Sequence, residues 1–333
     1  MKKALKITVA IIMMGTLMLS LASCSSSPSQ QSQSGDEKQV TINVFHAGSL
    51  SLPFKDMKEA FEKTHPNITV KLSSAGSKAL AQKILTLHDQ EQPLPEIYAS
   101  ADYSLISDLI MQKGLTDFNV LFARNSIVIA YTDDSKYADE ITSDNWYGIL
   151  SRKDVRMGRS DPEQDPCGYR SVLVMQLAEK YYNKPGLYHI LKDHPGTVVK
   201  PKEVDLIADL ETGNIDYFWI YESVARQHHF KYITLPKQIN LSSLKYADFY
   251  KTASLTLKKP DGSEYTVFGK PIVYGITLIK GAPASDTAKE FLKFVLTDGL
   301  SILEKNGQPA INPPQYIGSV PAFLKDLVKP ANP

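Results

Sequence analysis

The 333-residue chain has only two cysteines, Cys24 and Cys167, and its 37 basic and 36 acidic side chains almost cancel. Two cysteines are too few for a disulfide framework or a cysteine-built structural zinc site. A formal charge of +1 supplies no field for a polyanion, which sets nucleic acid aside as a partner. Without Lys2, Lys3 and Lys6, the only charges among the first 23 residues, the remainder is slightly acidic. Neither GxGxxG nor Gly-Lys-Ser/Thr occurs, so the dinucleotide fingerprint and the P-loop are both missing. Internal repeats and heptads are also lacking. What is present is 43% hydrophobic residues, enough for a core divided over two lobes.

The one long apolar run lies at the start. Lys2 and Lys3 precede Ile7 to Leu21, and small residues then lead into Leu21-Ala22-Ser23-Cys24. Residues 1–23 therefore read as a secretory signal, too short in its apolar part to favour a spanning helix, which needs roughly 20 residues. Leu-Ala-Ser-Cys resembles the lipobox, which implies lipidation of Cys24 and an extracytoplasmic protein anchored to the cell membrane. Residues 24–39 contain SSSPSQQSQSGDEKQ, with no large apolar side chain, and read as a flexible tether.

Beyond the tether, strands and helices alternate. Val40 to Phe45 alternates as a strand and breaks at Ala47-Gly48-Ser49. Phe54, Met57, Ala60 and Phe61 keep helical spacing after Pro53, and Ile68 to Leu72 is the next strand. A second small-residue turn, Ser73 to Ser77, leads into a helix over Ala79 to Leu87. Ile97 to Ser100 reads as a strand and Tyr103 to Met111 as a helix, a succession that predicts a parallel sheet wound with helices. Asn125 to Tyr131 is expected to cross into a second lobe, with helices at Arg170 to Tyr182 and Lys202 to Thr212 and a strand at Tyr217 to Tyr221. Phe268 to Ile279 reads as the return crossing, and Asp286 to Leu303 as one amphipathic helix. The expected division is residues 40–124 and 272–333 in lobe 1 and residues 125–271 in lobe 2.

Gly48-Ser49 and Gly76-Ser77 share a design: each ends a strand and opens a helix. Unpaired N–H groups and the positive end of the helix dipole suit an oxyanion there, and the serine hydroxyls add neutral donors. Either serine alone reads equally well as a helix cap. Asp161 to Arg170 (DPEQDPCGYR) packs acids, two prolines, Cys167 and Gly168 before a helix. Asp165 is there a ligand-binding acid or a cap, and Cys167 a small buried side chain or a nucleophile without a specified base. His228-His229 point apart on a helix, which disfavours a shared metal. Glu222 ends a strand, where an acid also complements a helix dipole.

Phe45 to Leu50 (FHAGSL), Ser74 to Ser77 (SAGS), Ala99 to Tyr103 (ASADY), Phe122 to Asn125 (FARN), Asp165 to Arg170 (DPCGYR) and Tyr246 to Tyr250 (YADFY) occur in this order. Together they resemble the molybdate/tungstate-binding proteins of ABC importers, from about Val40 to about Leu327, with DPCGYR the most specific part. The resemblance implies a type II periplasmic-binding-protein-like α/β fold: two lobes, a two-stranded hinge and an oxoanion in the inter-lobe cleft. It implies that Gly48, Ser49 and Ser77 bind the oxoanion from lobe 1 and Asp165, Pro166, Cys167, Glu222 and Asn240 from lobe 2. Asp165 and Glu222 would coordinate the Mo or W centre. The segment between Tyr182 and Lys202 is shorter than in some relatives, which loosens the register around Glu222.

Two unit charges of like sign about 4 Å apart repel by about 4 kcal/mol at an effective dielectric near 20. Carboxylates beside a dianion therefore make sense when their oxygens extend four oxo ligands of the metal towards six. Sulfur cannot expand its coordination in this way, so the same charges turn sulfate away. The implied protein is a monomeric, non-enzymatic receptor without a cofactor that delivers its oxoanion to a permease and its ATPase. The alternatives are a receptor for another oxoanion or metal chelate, or an exported hydrolase using Cys167 or Asp165 with Glu222.

Overall fold

The computed structural model describes residues 39–259 and 262–331. The expected signal sequence, the expected lipidation site Cys24 and the expected tether up to residue 38 lie outside the described residues. Among the described helices, none is long and apolar enough to cross a membrane.

Among the described residues, fourteen strands are distributed over two main sheets and a hairpin. The first sheet has the order β14-β13-β4-β12-β3-β1-β2, with β1 Val40–Ala47, β2 Ile68–Ala75, β3 Ile97–Ser100, β4 Phe118–Arg124, β12 Val273–Leu278, β13 Ala310–Gly318 and β14 Lys329–Pro330. The second has the order β7-β6-β8-β5-β9, with β5 Ile127–Tyr131, β6 Met157–Ser160, β7 Thr197–Lys200, β8 Tyr217–Tyr221 and β9 Lys231–Thr234. Strands β10 Ser254–Lys258 and β11 Glu264–Phe268 form an antiparallel hairpin. Only part of each main sheet is parallel: β1 pairs in parallel with β2 and β3, and β6 with β7 and β8. The return strand β12 is antiparallel to both β3 and β4, so the expected parallel sheet is a mixed one.

Helix α1, Ser51–Thr64, buries Phe54, Met57 and Phe61 of the expected stripe together with Pro53, while Ala60 is only partly buried. Helix α2, Ser77–Asp89, covers Tyr98 and its neighbours with Leu80, Ala81, Ile84 and Leu85. Helix α3, Pro166–Tyr181, starts four residues earlier than its apolar run suggests, because Pro166 fixes the first helical φ without forfeiting a needed N–H. It is buried on nearly every face, since it lies on the second sheet and also meets the hairpin. Lys202 to Thr212 opens with a 3-10 turn, Glu203–Leu206, before its helical turn Ile207–Glu211. The expected single helix after Asp286 is two, α4 Ser285–Val295 and α5 Asp298–Lys305, broken around Thr297 so that both pack on α1. In the second lobe Trp146 and Trp219 meet edge to face at 5.5 Å, inside a core that leaves all of β8 buried.

Candidate functional site

Four turns meet where the two sheets present the carboxyl ends of adjacent parallel strands, the place where open α/β sheets hold ligands. Gly48 and Gly76 follow β1 and β2, which run side by side with Ala47 opposite Ala75. Asp165 and Glu203 follow β6 and β7, which run side by side with Ser160 opposite Lys200. The two glycine turns of the first sheet therefore face two carboxylates of the second.

At Gly76 the approach is close enough to require glycine, and at Gly48 it is tight. A Cβ on Gly48 would stand 3.0 Å from Glu203 Oε2, and one on Gly76 would stand 2.4 Å from the Gln164 carbonyl oxygen. The Ala79 N–H donates to Gln164 O at 3.1 Å, joining α2 to the loop before α3. Lys78, with a side chain only 1% exposed, reaches across to Glu163 at 2.5 Å.

Ser49, Ser77, Asp165 and Glu203 are all buried. Ser49 Oγ is 2.9 Å from the Tyr274 hydroxyl, which also accepts from Asn125 Nδ2 at 3.1 Å. Ser77 Oγ accepts the Ala101 N–H at 3.0 Å, leaving its own proton to donate. Asp165 occupies the position preceding α3, yet its carboxylate makes no capping hydrogen bond. Instead Oδ2 accepts the N–H of Glu203 at 3.2 Å. Both carboxylate oxygens of Glu203 are buried without a hydrogen-bond partner.

Such a pair is costly to bury. Burial raises the pKa of Asp165, and burial together with the facing Asp165 raises that of Glu203 well above the carboxylate range. The arrangement is poised to hold a proton or to coordinate an electropositive centre. Among the described residues no group of three or more His, Cys, Asp or Glu is placed to hold a metal ion.

Of the residues singled out in the sequence, Gly48, Ser49, Ser77 and Asp165 come together, and Pro166 and Cys167 follow Asp165 in the first turn of α3. Cys167 is a fully buried free thiol whose pKa is pushed well up by burial, with Asp165 and Glu203 adding to the effect, which is the reverse of an activated nucleophile. Glu222 is not brought to this cluster. It follows β8, but its carboxylate turns to Ser126 Oγ at 2.6 Å and to Arg226 at 2.5 Å. It lines a separate polar cleft of about 430 Å³ with Asn125, Arg226 and Glu304. Asn240 also stays outside: its amide donates to Leu235 O at 3.1 Å and accepts from Ser242 N at 3.0 Å, bracing its own loop. Glu203, in the run Lys200-Pro201-Lys202-Glu203, is the carboxylate that the sequence reading missed.

Two α/β lobes with a site at the facing strand ends define the type II periplasmic solute-binding fold. The Azotobacter vinelandii periplasmic molybdate-binding protein shares it with a TM-score of 0.58 at 15% identity, covering 80% of this chain and 98% of its own. A substrate-binding protein of an ABC transporter from Agrobacterium tumefaciens shares it with a TM-score of 0.62 at 16% identity, over 89% of this chain and 88% of its own. Residues 42–308 match the bacterial extracellular solute-binding protein family, and the chain belongs to it. The molybdate/tungstate-binding protein WtpA of Pyrococcus abyssi is 44% identical over 321 residues, 88% of this chain and 91% of the relative. The family binds solutes outside the cytoplasm for uptake, a role that requires no chemical transformation.

Proposed function

We propose that this protein captures molybdate or tungstate in its inter-lobe cleft and delivers it to an ABC importer, consisting of a permease and its ATPase. The observation that carries this reading is the buried, unpartnered Glu203 carboxylate set against Asp165 and faced by the Gly48-Ser49 and Gly76-Ser77 turns. The serine hydroxyls and turn N–H groups donate to oxo ligands, while the two carboxylates extend the coordination of the metal in the cargo. A sulfate ion, offered the same two carboxylates, meets only repulsion. The likeness to relatives named for molybdate and tungstate supports the same ligand class. In this reading the protein is a monomer that catalyses no reaction and needs no resident cofactor, and it is held to the membrane through lipidated Cys24. Isothermal titration of the full chain with tungstate, molybdate and sulfate tests it. Tight binding of the first two with sulfate excluded is expected. Equal binding of sulfate would overturn the role given to the carboxylates, and binding of none of the three would overturn the function.

A further inference from the structure

Two segments singled out in the sequence take no part in the carboxylate cluster: Ala101-Asp102 and Tyr169-Arg170. They meet each other across the cleft. Asp102 follows β3 of the first lobe and is only 1% exposed. Its Oδ1 accepts from Ser104 N and Ser104 Oγ, both at 2.9 Å, within its own lobe. From the opposite side Tyr169 OH donates to Oδ2 at 2.7 Å and Lys270 Nζ approaches Oδ1 at 3.0 Å. Arg170 Nη2 lies 3.4 Å from Oδ2, an ion pair without hydrogen-bond alignment. Through Nη1, Arg170 donates to Ala101 O at 2.7 Å and to Tyr221 OH at 2.8 Å. The main chain of Ala101 thus accepts from Arg170 with its carbonyl, while its N–H donates to Ser77 Oγ.

We infer that Asp102 fastens the closed cleft: a first-lobe carboxylate clasped by Tyr169 and Arg170 of the second lobe and by Lys270 of the segment leading from the hairpin to β12, which sets how long the bound oxoanion is retained. The inference rests on the oxoanion-binding reading and adds to it positioning residues that do not touch the ligand. Capture begins with the lobes apart, before these contacts exist, so the association rate does not depend on them. Release must separate Asp102 from the Tyr169 hydroxyl and from two cationic groups at once, and a buried carboxylate that loses such partners is poorly served until water reaches it. The effect therefore falls on the dissociation rate. Ser77 feels the same contacts through Ala101.

The test is Tyr169→Phe, which deletes one hydroxyl and keeps the buried ring, with Asp102→Asn as the second variant. Uptake and release of radioactive tungstate by the full chain are followed by rapid filtration, beside thermal unfolding of the ligand-free protein. For Tyr169→Phe the expected result is release about tenfold faster, association changed by less than about threefold, and an unaltered ligand-free midpoint. Asp102→Asn is expected to release faster still. Unchanged release in both variants would overturn the fastening role while leaving the oxoanion reading intact. Slower association with a lowered ligand-free midpoint would also overturn it, because Asp102 would then merely support the fold. A wild-type chain that binds no tungstate would overturn the underlying function, and the retention role with it.

Discussion

The backbone N–H of Glu203 donates to Asp165 Oδ2 at 3.2 Å, so one carboxylate is oriented by the main chain of the residue that carries the other. The pair is thereby built into the turns that follow β6 and β7, and a change at either position acts on both.

Glu203→Gln and Asp165→Asn are expected to weaken tungstate binding by about a hundredfold or more, as loss of a charged contact in a buried site does. Glu222→Gln and Asn240→Ala are expected to stay within about threefold, since their side chains serve the separate polar cleft and a local loop. Titration calorimetry of the four variants ranks them. An amide variant at Asp165 or Glu203 with full tungstate affinity would sink direct coordination.

Closure of the lobes is expected to depend on Gly76. Gly76→Ala would bring its Cβ to 2.4 Å from the Gln164 backbone oxygen, a group that cannot step aside while the lobes are together. Small-angle scattering of the wild type should show a smaller radius of gyration with tungstate than without. Gly76→Ala should show little contraction and at least tenfold weaker binding. Gly48→Ala should be milder, because the obstructing atoms are the end of the Glu203 side chain.

His46 makes the fold sensitive to acid. Burial lowers its pKa from 6.5 to about 4, against a partly restoring hydrogen bond to Ala47 O. The unfolded chain therefore takes up a proton below pH 6.5 that the folded protein refuses until about pH 4. Stability is complete above this window and lost as pH falls through it, by up to about 3 kcal/mol from this group. Denaturant unfolding at several pH values should show His46→Gln with a shallower loss between pH 6.5 and 4 than the wild type. Parallel curves would show that His46 does not titrate as stated.

Membrane attachment is expected to follow Cys24. Mass spectrometry of the mature N-terminus should find an acylated cysteine, and Cys24→Ala should move the protein to the soluble fraction. An unmodified Cys24 would leave the tether without an anchor.

The sequence announced the first-lobe half of the site because its turns are made of small residues, and Gly48-Ser49 and Gly76-Ser77 stand out between apolar strands. Asp165 was visible for a similar reason, beside two prolines and a glycine. Glu203 was hidden by composition: Lys202-Glu203-Val204-Asp205 looks like the solvated first turn of a helix, and only packing of that 3-10 turn against Gly48 buries it. One signal was available. Glu203 follows a strand and a turn residue, Pro201, just as the two serine turns follow β1 and β2. Glu222 satisfied the same local rule, but Arg226 one turn along the helix claims its carboxylate. The break at Thr297 was illegible because the apolar period continues across it. The mixed character of the first sheet was illegible because β12 reaches it from the far end of the chain.

That position of β12 has a consequence for how the molecule is made. In the first sheet β3 and β4 touch only through β12, so before residues 273–278 arrive the sheet is two unconnected pieces, β3-β1-β2 and β4. The second sheet needs only residues 127–234, all of which leave the ribosome or the export channel earlier. The lobe that begins first in the chain must therefore finish last. Until it does, an unpaired strand edge remains on each piece, open to a wrong partner during export.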